Sequence, residues 1–177
     1  SEVTTRGRTG FVLNASAEVA MGALPAPAPL DIPALMARCQ RGVQEDANGI
    51  ATGQEAHLAF GPRWRVLRRI AFGAGEGLAH LALPQEFRGD LDQGWVLHPA
   101  LMDLATSWAM GLIAGYQARA LWVPVCYGRV RVFRALPAEI VSHVRIAPAA
   151  AGFASFDITL ATPEGEVCVQ IERFTIK

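Results

Sequence analysis

The chain lacks an excess of charge of either sign. Its 177 residues include 16 lysines and arginines and 16 aspartates and glutamates, so its formal net charge is zero. Without a basic surplus there is no electrostatic case for a nucleic-acid partner or an anionic membrane surface. The hydrophobic runs are also too short or too interrupted to cross a bilayer, so we expect no membrane span.

Cysteine is scarce as well. The three cysteines, Cys39, Cys126 and Cys168, lie far apart in the sequence and form no C-x-x-C pair. This pattern argues against a disulfide framework and is typical of a reducing compartment. We therefore expect a cytoplasmic protein in which the cysteines are small apolar core residues.

Several catalytic signatures are absent. The four histidines include no pair with the H-E-x-x-H spacing of zinc ligands, and no serine lies in a G-x-S-x-G elbow. The G-x-G-x-x-G phosphate loop is missing too, so the glycines at 73–75 indicate a hairpin turn. We expect neither a metal site nor a hydrolase triad. About half of the residues are apolar, enough for one domain or part of a larger one.

One stretch, from Trp95 to Gln117, is almost uniformly apolar between residues 100 and 115. It predicts a long helix buried on every face, about 25 Å from end to end. Asp103 is the only charged residue between His98 and Gln117. Burying a carboxylate is costly unless it is paired, hydrogen-bonded or protonated. Asp103 is therefore either a functional group or a structural one that reaches a buried arginine or the helix end, and its chemistry alone favours neither.

The remaining elements follow from local patterns. Residues 11–21 predict a strand, residues 22–33 with their four prolines predict a semi-rigid linker, and residues 32–43 predict a short helix capped by Asp31. Further strands are predicted where Val, Ile, Phe and Thr concentrate between turn signals, at 63–72, 77–83, 121–132, 138–147, 152–161 and 166–177. A long buried helix wrapped by a curved antiparallel sheet is an α+β hot dog fold.

Three motifs, in this order, resemble those of one family. His98-Pro99-Ala100-Leu101-Met102-Asp103 is similar to the HPALLD signature of the dehydratase domains of modular type I polyketide synthases. Upstream, Phe60-Gly61-Pro62-Arg63-Trp64 resembles the family's Y-G-P-x-F segment. Downstream, Val123-Pro124-Val125-Cys126-Tyr127 resembles its L-P-F-x-W segment. The resemblance runs from about residue 35 to residue 177.

The resemblance implies one half of a double hot dog. Such dehydratases join two hot dog halves, of which the first supplies a catalytic histidine from an H-x-x-x-G-x-x-x-x-P motif and the second supplies an aspartate that Asp103 matches. The histidine motif does not occur in this sequence. Residues 35–177 are thus expected to be the C-terminal hot dog, residues 22–34 the linker, and residues 1–21 the closing strand of an N-terminal hot dog.

The resemblance also implies a reaction. The histidine takes the α-proton of a 3-hydroxyacyl thioester, and Asp103 assists departure of the β-hydroxyl as water, which leaves a 2-enoyl thioester. No cofactor is expected, because the substrate is carried on the phosphopantetheine of an acyl carrier protein. The expected partners are that carrier, the N-terminal half, neighbouring synthase domains and, as an alternative, a second copy of the chain.

The same resemblance suggests which residues contact the substrate. Expected substrate-binding residues lie in the three motifs or one helical turn after Asp103: His98, Ser107, Phe60, Gly61, Pro62, Val125 and Tyr127. Two positions depart from the family. Ser107 stands where the family usually has a glutamine or histidine that can hydrogen-bond the carboxylate, and Tyr127 replaces a tryptophan. Both departures suggest a divergent subfamily.

Two other functions fit the sequence. The chain could be a non-catalytic hot dog half with a role in assembly or acyl binding. It could also be a stand-alone hot dog thioesterase or hydratase, which would complete its site as a homodimer. The proline-rich linker after a lone predicted strand argues against the stand-alone enzyme. By itself the chain is expected to be inactive, because it carries the catalytic acid, Asp103, but lacks the catalytic histidine base.

Overall fold

The computed structural model describes residues 2–5, 8–11 and 13–177. Ser1, Arg6, Gly7 and Val12 lie outside the described residues. Part of the strand predicted at 11–21, at Val12, therefore also lies outside them. Strands β1 (Glu2–Thr5) and β2 (Arg8–Phe11) form an antiparallel pair. Residues 13–21 contain no strand, so this part of the prediction is wrong. Its large apolar side chains, Leu13, Val19 and Met21, are exposed.

Helix α1 (Ile32–Arg38) begins where the sequence predicts. The Asp31 carboxylate accepts a hydrogen bond from the Ala34 backbone N–H at 2.9 Å, as an N-cap does. The helix is shorter than the predicted 32–43, because the chain turns at Cys39 into strand β3 (Arg41–Glu45). All five residues of β3 are exposed, so its sequence has no alternation that would predict a strand.

Seven strands form one antiparallel sheet in the order β3-β4-β5-β7-β8-β9-β6. Besides β3, its members are β4 (Leu67–Phe72), β5 (Glu76–Ala82), β6 (Pro124–Val132), β7 (Glu139–Ala147), β8 (Ala154–Ala161) and β9 (Val167–Ile176). The six strands other than β3 match the predicted ones to within a few residues. The first is the least accurate, because its first residues belong to a 3₁₀ turn, Pro62–Trp64.

The central helix, α2, is shorter than the sequence predicts. It spans Pro99–Ser107, about 14 Å, and the chain then tightens into a 3₁₀ turn at Ala109–Leu112. At Gly111 the backbone comes close to the sheet, because a Cβ there would lie 2.9 Å from the Phe72 ring. Apolar composition predicts burial over this whole region, but it does not predict where the helix ends.

Helix α2 packs on one face of the sheet and builds the main core with it. Ala100, Leu101, Leu104 and Ala105 are all at least 99% buried there. A second, smaller core lies around α1, where Leu35 and Cys39 pack with apolar residues of β4, β5, β7 and β8. An antiparallel sheet with one central helix on its face is the α+β hot dog arrangement, which confirms the predicted fold class.

Two linked, buried hydrogen bonds fix α2 to the sheet. The Trp108 indole N–H donates to Ser142 Oγ at 3.1 Å, and the Ser142 hydroxyl donates to the Ala105 carbonyl at 2.7 Å. Gly77 on β5 makes room for the indole, because a Cβ there would lie 2.7 Å from Trp108 Cη2. The helix therefore has one defined position on the sheet.

The connections complete the framework. Two further 3₁₀ segments, Gly53–Ala56 and Gln85–Gln93, lie in the loops before β4 and before α2. The end of the proline-rich linker is bound to the sheet, since the Leu30 N–H donates to the Gly165 carbonyl in the β8–β9 turn at 2.9 Å. Within the described ranges, no helix has the length and apolarity needed to cross a membrane.

Candidate functional site

The candidate site lies along the side of α2 that the sheet leaves open. Pro99 and Asp103 are exposed and Ser107 is half-buried, whereas the neighbouring Leu101, Leu104 and Ala105 are buried. The spacing of four residues places these three side chains on one stripe of the helix. The prediction that α2 is buried on every face is therefore wrong, and the Asp103 carboxylate lies outside the closed core.

A tryptophan from another element contacts that carboxylate. The Trp64 indole N–H donates to Asp103 Oδ2 at 2.7 Å. Trp64 ends the 3₁₀ turn that begins at Pro62, whose ring favours the dihedral angle of a first helical residue. Its backbone N–H donates to the Gly61 carbonyl at 3.0 Å, and its ring stacks on Phe60 with an interplanar angle of 1°. The Phe-Gly-Pro segment thus positions the indole against Asp103.

The hydroxyls of α2 do not serve the carboxylate. Ser107 Oγ donates to the Asp103 backbone carbonyl at 2.8 Å. Thr106 Oγ1 lies 3.1 Å from the carbonyls of both Met102 and Asp103. Serine and threonine commonly bond back to the preceding turn of a helix in this way. Ser107 therefore does not replace the longer carboxylate-binding side chain expected at its position.

Tyr127 brings a phenol close to α2 from strand β6, where it hydrogen-bonds Thr106. Its ring lies 4.8 Å from that of Phe174, and 41% of the residue is exposed. Burial raises the pKa of the Tyr127 hydroxyl, a hydrogen bond with Thr106 lowers it, and the negative charge of Asp103 raises it further. The phenol is therefore protonated at neutral pH and lies within electrostatic reach of Asp103.

A cavity of about 220 Å³ lies beside Trp64. It is lined by Arg63, Trp64, Asp90, Gln93, Trp95, His98, Pro99 and Ala100. Arg63 Nε donates to Asp90 Oδ2 at 2.7 Å, and this hydrogen bond is the main cause of the lowered pKa of the Asp90 carboxyl. His98 is 97% buried, with Nε2 at 3.4 Å from Asp90 Oδ2. Its Nδ1 is buried with no hydrogen-bond partner in the described part of the chain.

The other predicted site residues differ in how exposed they are and in which element they occupy. Phe60 is half-buried, and Gly61 and Pro62 are exposed, so these three residues form the turn under Trp64. Val125 is 55% exposed and is the extra residue of a β-bulge between Pro124 and Cys126. His98 takes the N-cap position of α2, although its side chain makes no capping hydrogen bond.

The roles of two residues of the site, Trp64 and Asp90, could not be predicted from the sequence. Trp64 lies within the recognised Phe-Gly-Pro motif, so its position was a usable signal, but nothing local indicates that it reaches Asp103, 39 positions later. Asp90 lies in a polar segment with several carboxylates and no distinguishing pattern. No group of three or more histidine, cysteine or acidic residues in the described ranges has metal-binding geometry.

Solved structures resemble this fold. A trans-AT PKS dehydratase domain from Brevibacillus brevis superposes with a TM-score of 0.74 at 26% identity, covering 88% of this chain and 54% of that one. The dehydratase domain from the CurF module of a curacin polyketide synthase has a TM-score of 0.72, covering 89% of this chain and 55% of that one. At 20% identity this second likeness supports the fold alone.

Sequence relatives agree with the structural ones. Polyketide synthase PksM of Bacillus subtilis is 26% identical over 156 residues, which is 84% of this chain and 4% of that protein. Polyketide synthase ThaG of Burkholderia thailandensis is 28% identical over 153 residues, 83% of this chain and 3% of that protein. The chain therefore spans a small part of these synthases and about half of the solved dehydratase domains.

A family model matches residues 27–177 and is described as the polyketide synthase dehydratase N-terminal domain. The description does not confirm the expected C-terminal position within a double hot dog. It does confirm the resemblance found in the three sequence motifs, and it covers most of the chain. This chain belongs to the polyketide synthase dehydratase family.

Proposed function

We propose that this chain is the C-terminal hot dog half of a polyketide synthase dehydratase domain. Residues 35–177 form that half, residues 22–34 are the linker, and residues 1–21 are the end of the N-terminal hot dog, with strands β1 and β2 but no strand at 13–21. The family description names the N-terminal domain. Two observations favour the C-terminal position instead: the motif ending in Asp103 is present, and the H-x-x-x-G-x-x-x-x-P histidine motif is absent from the sequence.

The observation that carries the proposed chemistry is the placement of Asp103. Its carboxylate is exposed on the open stripe of a helix that is otherwise packed into the core. An ionisable group on a rigid element, hydrogen-bonded by an indole and within electrostatic reach of a phenol, is a candidate for acid–base catalysis. The Trp64 indole and the Tyr127 phenol supply that setting.

The proposed reaction is dehydration of a 3-hydroxyacyl thioester. A histidine of the N-terminal half removes the proton from the α-carbon, and the electron pair of that C–H bond forms the new C=C bond. The β-carbon–oxygen bond breaks, and protonated Asp103 gives its proton to the departing hydroxyl, which leaves as water. The reaction needs one base and one acid on either side of a two-carbon unit, in a site that excludes bulk solvent.

The substrate is proposed to arrive on the phosphopantetheine of an acyl carrier protein, with no resident cofactor. His98, Ser107, Phe60, Gly61, Pro62, Val125 and Tyr127 are the proposed substrate-binding residues. The exposure of Tyr127 and Val125 suits direct contact with the acyl chain. The burial of His98 suits an indirect role, in which it supports the wall of the cavity through Asp90.

The N-terminal half is proposed to dock on strand β6. This strand ends the seven-stranded sheet, and eight of its nine residues are exposed. They include Val125, Tyr127, Val130 and Val132, each at least 36% exposed. A long apolar edge strand is rarely left open in a soluble protein, since its free N–H and C=O groups recruit another strand. We further propose that neighbouring synthase domains are partners of this domain and that the protein is cytoplasmic.

The experiment compares this chain with the two-half domain, meaning the same chain extended upstream by one more hot dog half. Both receive the same pantetheine-bound 3-hydroxyacyl thioester, and formation of the conjugated enoyl product is followed by its absorbance. We expect turnover in the two-half domain only, because loss of a general base costs about 10²–10⁴ in rate and loss of half the site removes substrate orientation as well.

Comparable activity of the shorter chain would contradict the proposal. One of its own histidines would then serve as the base, and the chain would be a self-sufficient hot dog enzyme. An inactive two-half domain that still binds an acyl thioester would favour the non-catalytic alternative. Hydrolysis of the thioester, detected as free thiol, would identify a thioesterase.

A further inference from the structure

We propose that Trp64 is a positioning residue for Asp103: its indole N–H holds one carboxylate oxygen so that the other faces the substrate. This inference rests on the proposed function, because it assigns a role in a reaction that Asp103 is proposed to catalyse. It adds a residue from outside α2 to the proposed site, and the hydrogen bond of 2.7 Å between Trp64 Nε1 and Asp103 Oδ2 is its starting point.

The indole is held firmly enough to orient another group. The backbone of Trp64 is fixed in a 3₁₀ turn by its hydrogen bond to the Gly61 carbonyl, and its ring is stacked on Phe60 at a centroid distance of 6.4 Å. The ring also packs against the main core, although Trp64 is only partly buried. A donor with few accessible rotamers loses little entropy when it orients a carboxylate.

Helix α2 does not provide this donor itself. The residue one turn after Asp103 is Ser107, whose hydroxyl donates to the Asp103 backbone carbonyl at 2.8 Å. Thr106 is engaged with the backbone carbonyls of Met102 and Asp103. An exposed aspartate on a helix stripe would otherwise sample several rotamers in solvent. Trp64 is the residue that the described part of the chain brings to the carboxylate.

The chemistry of the indole determines what each carboxylate oxygen can do. An indole N–H donates a hydrogen bond and cannot accept one. Oδ2 therefore remains an acceptor, and the proton that assists hydroxyl departure resides on Oδ1. Fixing which oxygen carries the proton aligns it with the leaving group, and misalignment of a catalytic group by about 1 Å can cost about 10²-fold in rate.

The test replaces Trp64 with phenylalanine in the two-half domain. Trp64→Phe removes the N–H and keeps an aromatic ring to stack on Phe60. We expect kcat to fall about 10- to 100-fold, because the Asp103 carboxyl loses the donor that aligns it with the leaving group, while KM changes by less than about threefold. The matched control is Trp122→Phe, which removes the indole N–H of another partly buried tryptophan outside the proposed site, and we expect its kcat to match that of the unmodified domain.

A second substitution separates positioning from packing. Glutamine at position 107 can reach a carboxylate one helical turn away. We expect Ser107→Gln to restore at least about tenfold of the kcat that Trp64→Phe loses. A Trp64→Phe domain with normal kcat would overturn the proposal. A loss that Ser107→Gln leaves unchanged would also overturn it, because the indole would then act through packing alone.

The contact itself can be measured without catalysis. In the 177-residue chain labelled with ¹⁵N, we expect the Trp64 indole proton to resonate downfield and to move upfield in Asp103→Ala. An unmoved resonance would overturn the proposal at its first step. If the contact is found but the unmodified two-half domain is inactive on every 3-hydroxyacyl thioester, the proposed function has failed, and the catalytic role of Trp64 fails with it.

Discussion

His143 Nε2 lies 2.8 Å from Glu76 Oε2, between neighbouring strands β7 and β5. Glu76 also accepts a hydrogen bond from Arg38 Nε at 2.7 Å, so the pair links helix α1 to the sheet. His143 is 92% buried, and this cluster lies apart from the cavity beside Trp64. Its role is therefore to hold α1 on the sheet, and it makes the stability of the fold depend on pH.

We expect the free energy of unfolding to fall as the pH falls below about 6.5. Burial lowers the pKa of His143 more than Glu76 raises it, so the folded state binds this proton less readily than the unfolded state does. Hydrogen bonding by Arg38 is the main reason that the pKa of Glu76 is lowered to about 2. A second loss is thus expected between about pH 4.5 and pH 2, as the Glu76 carboxylate becomes protonated.

Urea unfolding from about pH 8 to about pH 2 measures this dependence. Glu76→Gln should lower stability at pH 7 and remove the loss between about pH 4.5 and pH 2, because the carboxylate responsible for that loss is gone. Glu164→Gln, at an exposed turn position, is the control and should leave the profile unchanged. A Glu76→Gln protein that still loses the same stability between about pH 4.5 and pH 2 would contradict the assignment to Glu76.

Asp103→Asn should abolish most dehydration without unfolding the protein. The amide oxygen can still accept the Trp64 hydrogen bond, but the amide cannot donate a proton to the departing hydroxyl. We expect the rate of the two-half domain to fall by about 10²–10⁴, with an unchanged melting temperature. Single-turnover assays and thermal unfolding measure the two quantities. Near-normal turnover would remove Asp103 from the mechanism.

Ser142→Ala should destabilise the fold by about 1–3 kcal/mol, because it leaves the Trp108 N–H and the Ala105 carbonyl buried without their partner. Equilibrium unfolding in urea gives the value. Trp108→Phe combined with Ser142→Ala should cost less than the sum of the single changes, since the two residues share one hydrogen bond. Strict additivity would show that this bond contributes nothing.

Gly77→Ala should lower stability by about 1–3 kcal/mol, because its Cβ would lie 2.7 Å from a ring atom of Trp108 in a packed core. Gly89→Ala is the matched control: a Cβ there meets nothing within 4 Å, so a change below about 0.5 kcal/mol is expected. Denaturant unfolding compares the two. Equal effects would mean that the close approach of β5 to Trp108 is not what requires glycine.

Strand β6 should cause the isolated chain to self-associate. Val130 is 39% exposed on this edge, and Val130→Lys should shift the sedimentation velocity profile towards monomer because a lysine on an open edge opposes strand pairing. Val43→Lys is the control at the opposite edge of the same sheet, where Val43 is 45% exposed. Association that depends on Val43 instead would contradict docking of the partner half on β6.

The strands and the main turn could be predicted from the sequence because their signals are local. Residues 138–147 and 166–177 are rich in branched and aromatic residues, and Gly75, with a φ of 70°, makes the predicted hairpin turn. Asp103 could be selected for a related reason: a single carboxylate in an apolar run is visible in the sequence alone. Strand β3 could not be predicted, because its residues are all exposed and only the edge of β4 orders them.

The surroundings of Asp103 required the tertiary structure. Whether the helix is covered on every face depends on where the sheet ends, and so the open stripe of Pro99, Asp103 and Ser107 is a property of packing. The partner of the carboxylate also depends on packing: the Ser107 hydroxyl donates to the Asp103 backbone carbonyl, whereas the Trp64 indole donates to the carboxylate. Local preferences predict which residues form a helix or a strand, but a hydrogen bond between positions 64 and 103 exists only after the intervening chain has folded.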